Sequence, residues 1–240
     1  MQDLLVRFFV RYLLLLISLI SHAHAQVENK APIVEIIKPL ASEPLHWNTL
    51  VPYAIKVNDI EDGNSAYEEI ADREVILIVK YLEDLSLVNS YVAGIDRDLV
   101  PLMTMSKSTC LNCHAASNKF IGPSFELIAK KYSTVENAKS YLTEKVAAGG
   151  TGIWGEEKMP PNPGLTKAEI NLMVDWILKQ KDHPSPFYVG LSGAIRTKEE
   201  PNNASKGGYV LTAAYEDHGV ALFPKNRKIG RQSMLLLPKP

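Results

Sequence analysis

Cys110-Leu111-Asn112-Cys113-His114 sets two thiols three positions apart and an imidazole directly after the second. In an exported chain this spacing reads as a c-type haem attachment site. Two thiols on one short turn can add to the two vinyl groups, and the next residue reaches the iron as proximal ligand. They are the chain's 2 cysteines, so the expectation is one haem c, held covalently through Cys110 and Cys113. A disulfide over so short a span would be strained, and a zinc site would need two more ligands at matching spacing. No βαβ pattern surrounds the pair, as a thioredoxin-like dithiol would require.

Export is read at the N-terminus. Met1 to Tyr12 carries Arg7 and Arg11, Leu13 to Ile20 is continuously apolar, and Ala23-His24-Ala25 offers small residues for cleavage. Residues 1–25 therefore read as a signal peptide with the mature chain starting at Gln26. The apolar run falls well short of the roughly 20 residues that span a bilayer, and an uncleaved anchor is the competing reading. No cysteine near the cleavage site suits a lipoprotein. The expected location is the bacterial periplasm or another exported compartment. With 26 basic against 27 acidic side chains, near-neutrality argues against a nucleic-acid partner.

The elements that must position the motif fall into three stretches. From Ala31 to about Leu102 the pattern reads as β: Ile33 to Ile37, Val51 to Val57, Val75 to Tyr81 and Leu87 to Val92, with turn chemistry at Lys38-Pro39 and Glu61-Asp62-Gly63-Asn64 between them. Such short strands suggest a small sandwich. Asp59, Glu61, Asp62 and Asn64 could gather calcium or simply form a solvated turn. Residues 104 to 181 are helical in pattern. Ser124 to Lys131 and Val135 to Ala148 read as helices, the second stopped by Gly149-Gly150. A capping box at Thr166 to Glu169 opens a helix with Ile170, Met173, Val174, Ile177 and Leu178 on one face. That stripe would pack on the haem-bearing N-terminal helix. From Phe187 to Pro240 β character returns, with Tyr188 to Ile195, Gly208 to Tyr215, Val220 to Phe223 and Ser233 to Leu237 as candidate strands and Glu216 to Gly219 as a hairpin connection. So few short strands make a marginal core alone, so this sheet should lean on one of the other two units.

Cys110-x-x-Cys113-His114, Gly122-Pro123-Ser124-Phe125, Gly152-Ile153-Trp154-Gly155, Met159-Pro160-Pro161-Asn162 and Trp176 stand in one order over about 75 residues. Together they resemble the class I c-type cytochromes, most closely the small monohaem electron carriers of bacterial periplasms. The resemblance implies Met159 as sixth iron ligand, Pro123 as carbonyl acceptor for the proximal His114, Trp154 as propionate donor and Asn162 as donor toward the methionine sulfur. Chemistry favours Met159 too, since a thioether raises the reduction potential and leaves no open position for oxygen or peroxide. Pro160 and Pro161 would stiffen its loop. Met103, Met105, Met173 and Met234 compete for the sixth position, as do His46, His183 and His218 for bis-histidine ligation. For Trp154 the alternative is core packing. Lys119, Lys130, Lys131 and Lys158 could ring the haem edge for an acidic partner or merely be solvated.

The opening Ala31-Pro32-Ile33-Val34 and the run Val57-Asn58-Asp59-Ile60-Glu61-Asp62-Gly63 resemble immunoglobulin-like repeats of exported bacterial proteins, including the polycystic-kidney-disease type. The last segment resembles β stretches that follow cytochromes in exported sugar dehydrogenases. In it Tyr188, Tyr209, Tyr215 and Phe223 could stack on sugar rings or fill a core. The expectation is a multidomain chain: signal 1–25, an all-β immunoglobulin-like sandwich 31–102, an all-α class I cytochrome c 104–181, and a small antiparallel β module 187–240. Its work would be electron transfer rather than catalysis, relaying electrons from a dehydrogenase to a respiratory acceptor such as an oxidase or another cytochrome. A haem enzyme or gas sensor with an open iron position is the alternative, although no distal acid–base pair is visible. Another is a carbohydrate-associated module carrying a cytochrome relay.

Overall fold

The computed structural model describes residues 28–181, 185–201, 207–220 and 226–239. The expected signal segment, His183 and Phe223 lie outside them, as does most of the expected strand from Val220. The elements in chain order are β1 Ile33–Lys38, β2 Leu50–Asp59, β3 Gly63–Asn64, β4 Ile76–Leu82, α1 Val88–Ala93, α2 Asp96–Lys107, α3 Phe125–Tyr132, α4 Ala138–Ala148, α5 Lys167–Leu178, β5 Phe187–Val189, β6 Ser192–Arg196, β7 Gly208–Glu216 and β8 Ile229–Leu236.

The strands before and after the helices do not form two units. Both sheets take strands from each side: β2 pairs with β1, β3 and β6, while the second sheet runs β5-β4-β7-β8, all antiparallel. The expected division into a sandwich at 31–102 and a separate module at 187–240 is thus corrected by the pairing of Leu77 with Ala213 and of Val51 with Ile195. Neither segment has enough strands to cover its own apolar face, so they complete each other. The stretch Tyr188 to Ile195, expected as one strand, crosses between sheets. Gly190 (φ +122) breaks it, and the Leu191 N–H donates to Asp72 Oδ1 at 2.6 Å, so β5 joins one sheet and β6 the other. A side chain at 190 would also collide with the Asp72 carboxylate.

Alternation along the second sheet builds two cores at once. Val75, Leu77, Val79, Tyr209, Leu211, Ala213 and Tyr215 meet Val34, Ile36, Tyr53, Ile55, Val57 and Ile195 of the first sheet. Ile76, Ile78 and Ala214 point the other way, into a cluster with Leu99, Leu102, Met105, Phe125, Met173 and Trp176 of the helices. A sheet covered on both faces explains why all but the last residue of β7 is buried.

Two boundaries differ from expectation. Leu87 to Val92 is no strand: Asp84 Oδ1 accepts the Ser86 N–H at 2.9 Å, opening a 3₁₀ turn at Leu85–Leu87 that runs into α1. Leu85, Leu87, Val88 and Val92 do not alternate, and a local Asp cap outweighs the β-branched valines there. Helix α2 then starts at Asp96, so the expected end of the β segment at 102 cuts through a helix. Within the helical unit, Ser124 caps α3 by accepting from Leu127 N at 3.2 Å, and the capping box between Thr166 and Glu169 is complete. Ile170, Met173, Val174 and Ile177 of α5 are buried, and the helix locks on α2 through a Trp176 Nε1–H bond of 2.8 Å to Asp98 Oδ1.

Candidate functional site

Helix α2 stops at Lys107, and Thr109 in the left-handed region (φ +65) turns the chain into the 3₁₀ turn Cys110–Asn112. The backbone N–H groups of Cys113 and His114 both reach Cys110 O, at 3.1 and 3.0 Å, so one tight turn carries both thiols and the imidazole. Both cysteines are free and half-buried. Burial pushes the Cys110 thiol pKa up, opposed by the Ser108 hydroxyl 3.3 Å from its sulfur.

His114 Nδ1 lies 2.7 Å from the Pro123 carbonyl. A carbonyl only accepts, so Nδ1 carries the hydrogen and a neutral ring keeps its lone pair on Nε2. Burial lowers the His114 pKa, against the pull of the Pro123 carbonyl, and so favours the neutral form that can bind a metal. The ring stacks on Phe125, with centroids 5.6 Å apart and planes 19° apart. On its edge sits Gly122, where a Cβ would come within 2.6 Å of His114 Cε1. Gly122 also donates its N–H to Cys113 O at 2.8 Å, so the loop folds back on the motif.

Met159 is carried by a second loop. It exchanges two backbone hydrogen bonds with Gly150, of 3.0 and 2.9 Å. Gly149, at φ +72, lets the Met159 carbonyl approach closer than any side chain would allow, since an added Cβ would lie 2.4 Å from it. Asn162 departs from the role its motif implies. Its side-chain amide donates to the carbonyls of Val146, at 3.0 Å, and Pro160, at 3.3 Å, so its hydrogens tie the loop to the end of α4 rather than reach for the Met159 sulfur. Trp154 is 36% exposed, which removes the core-packing alternative, and the Lys131 ammonium stands 4.7 Å from its ring centroid. Of the other lysines, Lys158 and the unforeseen Lys145 line the cleft, Lys119 is exposed, and Lys130 is spent on Glu126 at 2.5 Å.

These pieces bound one open cleft of about 280 Å³, with a mostly apolar lining that includes Cys110, Cys113, His114, Met159, Pro123, Trp154 and Asn162. Met105 and Met173 sit in its floor at 1% exposure, packed in the helical core, whereas Met103 is core and Met234 lies on β8. His46 is exposed, and His218 is held 3.0 Å from both Asp62 and Glu74 on the sandwich; neither lines the cleft. The donor set suits haem c: two free thiols on one turn, an imidazole with an unspent Nε2, and a thioether. The positions of Phe125 behind His114 and of Gly149 under Met159 were not anticipated, although the spacing from His114 to Gly122-Pro123 carried a signal for a close loop return.

The residues considered for calcium are engaged in part by their own turn, while Asp59 Oδ2 and Glu61 Oε2 are buried without a hydrogen-bond partner among the described residues. Asp59 Oδ1 accepts the N–H groups of Glu61 and Asp62, Asp62 Oδ2 takes the Tyr215 hydroxyl, and Asn64 caps a 3₁₀ turn. Among the described residues no three His, Cys, Asp or Glu side chains are arranged to hold a metal ion. Tyr209 and Tyr215 are buried in the inter-sheet core, so they cannot stack on a sugar.

The sequence model of the cytochrome c family matches residues 104–181. Cytochrome c-552 of Nitrosomonas europaea is 38% identical over 95 residues, which is 40% of this chain and 86% of that protein. Cytochrome c-551 of Azotobacter vinelandii is 40% identical over 72 residues, 30% of this chain and 87% of the relative. The solved structure of Nitrosomonas europaea cytochrome c552 aligns with 37% identity and a TM-score of 0.32, covering 32% of this chain and 96% of that one. The match over residues 104–181 and the identity to the cytochromes c-552 and c-551 agree with the motif: the chain belongs to the cytochrome c family and carries covalently bound haem c for electron transfer.

Proposed function

We propose that this protein is an exported single-haem electron carrier that receives electrons from a dehydrogenase, sugar-oxidising ones included, and passes them to a respiratory acceptor. The observation that carries this reading is the meeting of Cys110, Cys113, His114 and Met159 around one apolar cleft. When bound there, haem c supplies reversible one-electron chemistry at its iron. Cys110 and Cys113 would attach it, and His114 and Met159 would be its axial ligands. Pro123 would hold the His114 ring in its tautomer and raise its basicity. Trp154, 36% exposed beside the cleft, would turn its indole N–H toward a propionate. Asn162 would serve by fixing the Met159 loop, a stiffness that favours rapid electron transfer.

The flanking strands would form an immunoglobulin-like sandwich, as the motifs from Ala31 and Val57 suggest, with the haem unit as an insertion between its strands. Lys131 and Lys158 beside the cleft support docking on an acidic partner. The periplasmic location rests on the signal pattern of residues 1–25; among the described residues no helix is long and apolar enough to cross a membrane.

The test is carbon monoxide titration of the dithionite-reduced protein. An unchanged absorption spectrum is expected, because both axial positions would be filled. A prompt shift would mean a labile or open iron and would transfer the protein to the haem-enzyme or gas-sensor class.

A further inference from the structure

The ring packed against the cleft's proximal histidine is itself backed by a residue from outside the matched segment 104–181. Behind His114 stands Phe125, and behind Phe125 stand two more rings: Trp176, with centroids 5.6 Å apart and planes 83° apart, and Phe187, at 6.1 Å. Phe187 also meets Trp176 at 6.2 Å. Trp176 is pinned by its bond to Asp98. Phe187 is pinned by a sheet: it opens β5, pairs with Ile78 of β4, and follows Pro186, whose carbonyl accepts the Val79 N–H at 2.9 Å.

The join between helix and strand is clamped as well. Gln180 is buried at 4% exposure; its Nε2 donates to Trp176 O at 3.0 Å and its Oε1 accepts the Ser185 N–H at 2.9 Å. The end of α5 and the start of β5 are thereby held in register, with Phe187 against the ring that backs the imidazole. Close-packed interiors transmit displacement, because a ring with no free volume behind it cannot tilt. Phe125 is 2% exposed and shares its cluster with Phe187.

From this chain of rings we infer that Phe187 is a positioning residue for the haem iron: the β sandwich, through Phe187 and Phe125, fixes the plane of His114 and keeps water from the proximal side. The inference rests on His114 being the iron ligand. It assigns the sandwich a part in setting the reduction potential, since the apolar shell around a ligand governs its orientation and the access of solvent, which stabilises the more highly charged ferric state.

The experiment compares the haem-loaded parent with Phe187→Ala, Phe187→Leu and Leu211→Ala, by redox titration and by the hyperfine-shifted NMR signals of the His114 ring in the ferric state. Leu211 is fully buried in the inter-sheet core and belongs to the other cluster, so its variant controls for loss of stability alone. The expected result is a lower potential and displaced or broadened His114 signals in Phe187→Ala, smaller changes in Phe187→Leu, and parental values in Leu211→Ala. Parental potentials and His114 signals in both Phe187 variants, whatever their melting temperature, would make Phe187 an ordinary core residue and overturn the inference. An equal shift in Leu211→Ala would overturn it too, by tracing the effect to general loosening. Should Phe187→Ala fail to fold, Phe187→Leu decides alone. A parent without His114 hyperfine signals would instead sink the ligand assignment, and the inference with it.

Discussion

At Gly122 the backbone touches the imidazole ring, and a methyl group there would overlap His114 Cε1 at 2.6 Å. The φ of Gly122 suits any residue, so the cost of Gly122→Ala is purely this overlap. Overpacking of this kind costs about 1–3 kcal/mol, and the ring must tilt off the Pro123 carbonyl to relieve it. We predict a lower melting temperature and a reduced yield of haem-loaded protein, measured by calorimetry and by absorbance at the haem band; parental values would mean that the loop yields instead. Met159→Ala should keep the covalent haem, lower the reduction potential and let carbon monoxide bind, because the thioether that favours the ferrous state is gone. A parental potential with no carbon monoxide binding would show that another side chain ligates the iron. The residues of this site were largely legible in the sequence: the Cys-x-x-Cys-His spacing is covalent chemistry, readable from five letters. The work of Asn162 was not, since its amide spends its hydrogens on two carbonyls brought near only by the fold of α4 and the Met159 loop.

Among the elements, α5 is the one whose start was written most fully in the sequence. Its Thr166 and Glu169 close a reciprocal box, and the Glu169 carboxyl is held below its ordinary range, chiefly by hydrogen bonds from the Thr166 side chain and backbone. A depressed folded pKa means the stabilisation is present above the unfolded value of about 4.5 and is lost as pH falls through the folded value. Denaturant titrations between pH 7 and 3 should therefore show a shallower acid loss for Glu169→Gln than for the parent; parallel curves would mean the box contributes nothing. Thr166→Ala should cost about 1 kcal/mol at neutral pH. Helix α1 shows the opposite case. Val88 and Val92 invite a strand, yet the Asp84 cap and the continuation into α2 make it helical, because β preference is a packing preference and no partner strand is offered there.

For the molecule as a whole, the haem unit is inserted into a sandwich whose two sheets are completed only by the last segment. A fragment of residues 28–102 would leave β4 without its neighbours β5 and β7, and β2 without β6. We predict that it stays unfolded by circular dichroism and NMR; a dispersed spectrum would restore the view of two separate β units. The second sheet is covered by helices on one face and by strands on the other, so the α2 and α5 side of the helical unit is occupied, while Trp154, Lys131 and Lys158 stand at the cleft. By itself the sequence determined the cofactor, the single turn that carries Cys110, Cys113 and His114, the capped helices and most strands, since each rests on spacing or periodicity within a few residues. Only the tertiary structure decided that Leu77 pairs with Ala213, that the chain changes sheets at Gly190, and that Phe187 backs the ring behind His114. Those contacts join stretches far apart in the chain, and the apolar alternation that marks a strand is the same whichever strand lies beside it.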